Sequence, residues 1–391
     1  MDKSANESIV FTVIVPIYQD PRIFVLFIES LLSTVTQPTQ IIFINDGSGA
    51  IVSKILRECS QKLFINITIT VIENEHPTGS GKCINKALQL AIGKFIAILD
   101  SDLILLSDWQ QQAVTTFSSN NRVGIVGGLL IYPQTGGIQH CGIAFTEDSA
   151  RHLYLNGTPE SIPLKAFTVQ CVIFAFCIFK LSIYKEVGLL DEQYCHAYDD
   201  FDYQMRIRQT GYNIVVDPNI VAYHWERSNG INRTLNRKNN IARFWRKWGN
   251  ILKPDLWDFV LSNITKIIRR NNSPVNVRAF DLCSVRGDAN IFWQKINSLN
   301  TLIIVEEIID YSHRNTDNQS IWLPMILDND AFRTSKRLFF LVDNFCQLTE
   351  NKYWFDLRTK IRDDDIIADL YGNVMLLNQI STHSWPGRKI R

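Results

Sequence analysis

The sequence has no surplus of either charge: 40 Lys and Arg stand against 39 Asp and Glu, a formal net charge of +1. That balance excludes a global electrostatic case for nucleic acid as a partner. Long apolar runs are missing as well. The longest near-continuous one, Val169 to Phe179, is too short to cross a bilayer, and no apolar core of a secretion signal follows the polar opening MDKSANES. Eight cysteines are present, but none forms a C-x-x-C pair and their spacing shows no regular framework. They are read as thiols in a reducing compartment, not as a disulfide scaffold or a zinc site. A soluble, cytoplasmic protein is expected, with peripheral contact to the inner face of a membrane left open. What is present is a globular composition, 46% hydrophobic and 20% charged over 391 residues, enough chain for two or three domains.

The most informative stretch is FIAILDSD, Phe95 to Asp102. Five apolar residues read as a buried parallel strand that delivers Asp100 and Asp102 at its carboxyl edge. Open α/β sheets place their ligands at that edge. Two carboxylates there suit a hard divalent cation carrying a phosphate, and an ordinary strand-end turn is the alternative.

Strand and helix signals alternate through the first third. Phe11 to Tyr18 is a β-branched run containing Pro16, and Pro21 to Thr34 has helical spacing. Ile41 to Ile44 is a second strand, ending in Asn45-Asp46-Gly47-Ser48, and Ile67 to Ile72 a third. A helix is expected over Ser80 to Ile92 after Gly79, then the strand Phe95 to Leu99. This cadence predicts an α/β fold with a doubly wound, mostly parallel sheet and flanking helices.

VPIYQD, IIFINDGS, GSGKCINKAL and FIAILDSD, in that order, resemble the nucleotide-binding half of family 2 glycosyltransferases, inverting enzymes of the GT-A fold that include many builders of bacterial surface polysaccharides. Gln19 stands where the family has Asn, and Asn45 where it has the first Asp of D-D-G-S; Asn45 can still hydrogen-bond a base or ribose but brings no charge. The resemblance implies a nucleotide-sugar donor with Asp46 and the Pro16–Tyr18 turn on the nucleoside. Gly81 and Lys82 would lie near the diphosphate at a helix start, where free amides favour anions. Asp100, Ser101 and Asp102 would meet the diphosphate and its Mn²⁺ or Mg²⁺ ion, with Asp102 the more direct ligand.

Further on, HAYDDFDYQMRIRQTG places Asp199, Asp200 and Asp202 in the first turn of a helix expected to end at Gly211. One acid there would be explained by capping; three exceed that need. The segment resembles the family's E-D-x-D-x-x-x-R motif, which assigns the catalytic base to Asp200, with Asp199 second and Asp202 a helix-side structural partner. His224, after a further strand and before Ser228 and Gly230, stands where the resemblance implies a third metal ligand, a structural histidine being the alternative; as a ligand, imidazole favours manganese. His140, in a Q-H-x-G piece within a turn and return strand over Gly136 to Phe145, is a candidate to face donor sugar or acceptor, or else a structural group. Val169 to Lys180 is expected as one buried strand.

Arg233 to Lys253 is basic with interleaved Phe244, Trp245 and Trp248. It reads either as a helix packing its aromatics on the catalytic domain or as a contact to an anionic membrane bearing a lipid-linked acceptor. The family's Q-x-x-R-W segment is missing, which argues against a membrane-embedded polymerase. The expected organisation is a catalytic domain over 1–250, a helical linker over 251–274 with a boundary at Asn271-Asn272-Ser273-Pro274, and a C-terminal α/β domain over 275–391 with no assignable motif. Asp363-Asp364-Asp365 is read there as a solvated turn. The expected function is transfer of one sugar to a hydroxyl of a glycan or lipid-linked glycan. A sugar-nucleotide-binding scaffold without catalysis and a sugar-phosphate nucleotidyltransferase are the alternatives, the second weakened because VPIYQDPR lacks a G-x-G-x-R-type loop.

Overall fold

The computed structural model describes residues 9–18, 21–106, 108–194, 197–226, 231–268, 274–299, 302–311, 326, 337–345, 362 and 364–382. Gln19, His196, Ser228, Gly230, Asn271, Asn272, Ser273 and Asp363 lie outside the described residues, so the expectations placed on them stand where the sequence left them. Two compact units are present: residues 1–133, 140–143 and 163–252 make the first, and residues 134–139, 144–162 and 253–391 the second.

In the first unit, β1 (Phe11–Ile17), α1 (Pro21–Thr34), β2 (Thr39–Asp46), α2 (Ala50–Ser60), β3 (Ile67–Asn74), α3 (Ser80–Leu88) and β4 (Phe95–Leu99) alternate. All four strands are parallel, in the order β3-β2-β1-β4, with Ile14 of β1 opposite Ile42 and Ile98 on its two sides. Their apolar side chains are almost wholly buried except on β3, the edge strand. Strand order reverses between β1 and β4, and such a switch point opens a crevice at the carboxyl ends. Helix α3 stops at Leu88, short of the Ile92 expected. Gly93 lies only 2.4 Å, measured from where a Cβ would stand, from the β1 backbone at Phe11 and Thr12, an approach no side chain allows.

After β5 (Leu103–Leu105), α4 (Trp109–Ser119) and β6 (Val123–Ile131), the chain forms the short strands β7 (Ile138–His140), β8 (Ile143–Phe145) and β9 (Ala150–His152), most of whose residues belong to the second unit. The single strand expected over Val169 to Lys180 is two: β10 (Phe167–Val169) pairs with β12 (Asn213–His224), whereas β11 (Phe176–Lys180) lies antiparallel between β4 and β6. Between them Val172 leaves the ladder, because the Gln204 side chain accepts its N–H at 2.8 Å and donates to its C=O at 2.6 Å. A run of apolar residues records burial, not which neighbour the backbone pairs with. Helices α5 (Leu181–Val187), α6 (Asp199–Gln209) and α7 (Ile231–Trp248) complete the unit. Its core sets Phe11 against Phe95 with the rings tilted by 31° and Trp109 edge-on to Phe11 and Phe176, side chains whose truncation to Ala costs about 3–5 kcal/mol each.

The second unit carries α8 (Leu256–Ile268), β13 (Val275–Asp281), α9 (Arg286–Leu299), β14 (Ile303–Asp310), β15 (Arg337–Val342), β16 (Ile366–Asp369) and β17 (Val374–Leu376). The sheet runs β14-β13-β15-β16-β17, parallel apart from its last pair. Asp365 corrects the reading of a solvated acidic turn. It is fully buried and accepts the N–H groups of Leu338 and Arg362, both at 3.1 Å, while Asp364 pairs with Arg337 at 3.1 Å. The charges cap a chain reversal, a duty that adjacency in sequence does not reveal.

Candidate active site

The carboxyl end of β4 turns straight into β5, and β5 pairs antiparallel with β12, setting Leu103 opposite His224. That register brings the residue before β5 to the last residue of β12. His224 Nε2 lies 3.1 Å from Asp102 Oδ1 and 3.7 Å from Asp100 Oδ2, and one ligand atom from each of the three residues fits within 4.8 Å of the others. Trp225 N–H bonds to the Asp102 carbonyl at 3.2 Å, and Asp100 N–H to Ala175 O at 2.9 Å, which fixes the turn from both sides. Burial alone would pull the His224 pKa down. The hydrogen bond to Asp102 and the charges of Asp102, Asp100 and Glu226 outweigh it and hold the pKa above its ordinary value. Two carboxylates and one imidazole at this separation are the donor set of a hard or borderline divalent ion, so the residues present fit Mn²⁺ or Mg²⁺.

A second cluster forms at the start of α6. Asp199 is buried, and a Cβ on Gly81 would stand 3.3 Å from its Oδ2, so the first turn of α3 packs onto this carboxylate. Asp200 is half-buried, and burial first, then the charge of Asp199, push its pKa up to about 8. Its carboxylate accepts the N–H of Phe201 at 2.8 Å and that of Phe174. Phe174 and Ala175 are consecutive, so one segment holds Asp200 by its N–H and Asp100 by its next carbonyl. The two acidic clusters therefore share one wall. Asp202 is fully buried and accepts from Arg206 Nε (3.2 Å), Lys247 Nζ (2.7 Å) and Trp248 Nε1 (2.8 Å). None of the acids stands at the N-cap position, which is Tyr198.

The remaining residues divide differently from expectation. Asp46 does not present a free carboxylate. It accepts Asn74 Nδ2, Thr78 N–H and Thr78 Oγ1 on one oxygen and Gly79 N–H on the other, at 2.8 to 2.9 Å. Burial would raise its pKa, and these bonds outweigh burial and lower it. Asp46 thus fixes the loop that starts α3. Asn45, read as able to meet a base or ribose, is buried and committed: Nδ2 donates to Ser53 Oγ and Glu73 Oε2, and Oδ1 accepts Ser48 N–H. Pro16 is half-buried, Tyr18 exposed, Gly81 buried and Lys82 exposed, while Ser101 sits half-buried between the two metal-site acids. His140 is buried, with Nε2 accepting the N–H groups of Gly142 and Ile173 at 3.3 Å, which is the structural alternative. Phe244 and Trp248 of α7 are also buried, Phe244 against Tyr198 and Phe201.

Residues not singled out from sequence complete the site. Asn85 of α3 donates to Leu190 O and Glu192 Oε1 at 3.0 Å and accepts Leu190 N–H at 2.8 Å, tying α3 to the chain before α6. Glu226 accepts the Tyr132 hydroxyl at 3.3 Å. Its place two residues after His224 was the only signal for it.

Residues 12–188 match the family described as glycosyl transferase family 2, a span that contains Asp46, Asp100 and Asp102 and ends before Asp199, Asp200 and His224. The chain is 29% identical over 186 residues to an uncharacterized glycosyltransferase of Haemophilus influenzae, covering 47% of this chain and 55% of that protein. It is 25% identical over 126 residues to the glycosyltransferase GlyG of Streptococcus pneumoniae, covering 32% and 41%. The chain spans less than two-thirds of the length of each curated relative it matches. A solved structure titled GalNAc-T7 with UDP, GalNAc and Mn²⁺ aligns at TM-score 0.49 and 13% identity over 62% of this chain and 50% of that one.

Proposed function

Because the chain carries a family 2 glycosyltransferase domain over residues 12–188, we propose that it is a metal-dependent, inverting enzyme that moves one sugar from a nucleotide-sugar donor to a hydroxyl of a glycan or lipid-linked glycan, in polysaccharide biosynthesis. The observation that supports this reading is the shared wall: Asp100, Asp102 and His224 lie close enough together at the sheet's carboxyl edge to hold a cation, and Asp200 hangs from the residue next to the one that fixes Asp100. A bound Mn²⁺ or Mg²⁺ would be held by Asp100, Asp102 and His224 and would neutralise charge on the departing diphosphate. The α3 start, fixed by Asp46, offers backbone amides and exposed Lys82 to the same anionic group. Pro16 and Tyr18, at the carboxyl end of β1, would meet the nucleoside. Asp200 takes the proton of the acceptor hydroxyl as it attacks the anomeric carbon, and a pKa raised toward neutrality matches a base to that task. Asp199 is second in line for that role. The loss of charge at Asn45 does not favour a non-catalytic scaffold, since Asn45 serves the β2–α2 loop.

No helix among the described residues is long and apolar enough to cross a membrane. Cytoplasmic placement with peripheral contact to the membrane's inner face belongs to the same proposal, supported by the six basic and no acidic residues of α7. The decisive experiment mixes the protein with Mn²⁺ and a panel of sugar nucleotides and follows thermal shift and nucleotide release. Metal-dependent stabilisation by one donor, with slow release of its nucleotide, is expected. Stabilisation by none, or full turnover in chelator, refutes the proposal.

A further inference from the structure

Tyr198, directly before the acidic pair, has φ 67 and ψ −2, the left-handed region. That region is disfavoured for any residue with a Cβ, most of all for a bulky one, and usually belongs to Gly, Asn or Asp. Among the described residues only Asp108, Tyr154, Asn156 and Glu226 share a positive φ without being glycine. An ordinary N-cap is extended and bonds the helix start through a side-chain oxygen; Tyr198 does neither. An aromatic residue kept here must be held by its surroundings.

Those surroundings are specific. The Tyr198 ring lies 5.1 Å from Phe201, at 75°, and 5.2 Å from the fully buried Phe244 of α7. Its carbonyl accepts Asp202 N–H at 3.0 Å, the first bond of α6. One residue earlier, the Ala197 carbonyl accepts Nδ2 of the buried Asn240 at 3.0 Å. The chain is thus clamped on both sides of one strained residue, and φ at that residue sets the direction in which Asp199 and Asp200 leave it. We propose that Tyr198 is a positioning residue: its ring, wedged between α6 and α7, holds a left-handed backbone that aims Asp199 at the start of α3 and Asp200 at the Phe174 wall. The inference rests on the reading of Asp200 as the base, and it separates two jobs of one side chain, ring support and backbone shape.

Three variants separate them. Tyr198→Gly removes the ring but takes the left-handed shape without a Cβ penalty. Tyr198→Ala removes the ring and keeps the penalty. Tyr198→Phe keeps the ring and serves as the conservative rescue. Crystal structures of the variants should show positive φ at residue 198 in the Gly and Phe proteins, with both carboxylates unmoved. In the Ala protein φ should turn negative and both carboxylates be displaced. Nucleotide release from UDP-glucose, UDP-N-acetylglucosamine and GDP-mannose with Mn²⁺ should fall in the order Phe, Gly, Ala. The Ala protein should lose roughly tenfold or more in kcat with donor KM within about twofold, the mark of a misplaced reacting group, not lost donor binding. An Ala protein with positive φ and unmoved carboxylates overturns the proposal, as does a Gly protein as slow as Ala. Should the Ala protein not fold, Phe244→Leu withdraws the ring support from the α7 side and carries the same expectation. If wild type turns over none of the three nucleotides, the functional reading fails at that point, and the crystal structures still decide the role of Tyr198.

Discussion

Replacing Asp200 by Asn should move activity and stability in opposite directions. Asn keeps the shape of the side chain and an oxygen for the Phe201 and Phe174 N–H groups, but it cannot take a proton. Removal of a general base costs about a hundred- to ten-thousand-fold in rate, roughly 3–5 kcal/mol of barrier. Stability follows from the pKa. Burial, then Asp199, raise the folded value to about 8 from an ordinary 3.8, so the folded state holds the proton more tightly than the unfolded chain. Such a carboxyl costs nothing below its ordinary value, and its penalty grows as pH rises from there toward the folded pKa. Asn carries no such penalty. Asp200→Asn should therefore melt at or above the wild-type temperature at pH 8, and this advantage should vanish near pH 4. Wild-type kcat should fall as pH drops below about 8, approaching tenfold per pH unit as the base becomes protonated. The assays are kcat at saturating donor and acceptor and thermal unfolding at the two pH values. Transfer by Asp200→Asn within about fivefold of wild type would refute the assignment; a dead Asp199→Asn beside it would move the base to Asp199.

Three further outcomes are expected. Asp102→Ala should abolish the thermal stabilisation by Mn²⁺, about 2.7 kcal/mol in wild type at a metal concentration a hundredfold above Kd; a full response in a Mn²⁺ titration of the variant would remove Asp102 from the site. Gly93→Ala would place a Cβ 2.4 Å from the β1 backbone, where neither that strand nor the turn before β4 can yield cheaply, so urea unfolding should show a loss of about 3 kcal/mol, and a loss under 1 kcal/mol would mean that the two segments are not so tightly apposed. A chain ending at Asn271 should be insoluble: residues 144–162 belong to the second unit, where Tyr154 N–H bonds to Tyr371 O at 2.7 Å and Leu155 O accepts Asn373 Nδ2 at 3.0 Å. A soluble, folded truncate would show that this segment does not need its partners.

Sequence by itself determined the parallel half of the first unit and the order of its motifs. Apolar runs with helical spacing between them leave few other folds, and β1, α1 and β4 begin and end within a residue of where their patterns change. Asp100 and Asp102 were legible as ligand candidates because paired carboxylates at the carboxyl edge of a strand suit a cation, His224 only through the family resemblance, and the acids of α6 because three exceed what a helix start needs. Which polar side chains serve the local scaffold was decided only in three dimensions. Asp46 and Asn45 are engaged by hydrogen bonds of nearby loops, whereas Asp202 is engaged by donors 45 and 46 residues away on α7. The split of Val169 to Lys180 into strands with different neighbours, and the lending of residues 144–162 to the second unit, were equally out of reach. Local pattern reports burial and backbone preference, which are properties of a few consecutive residues. Pairing, hydrogen-bond saturation and the left-handed turn at Tyr198 depend on residues far away in sequence, and only packing brings them together.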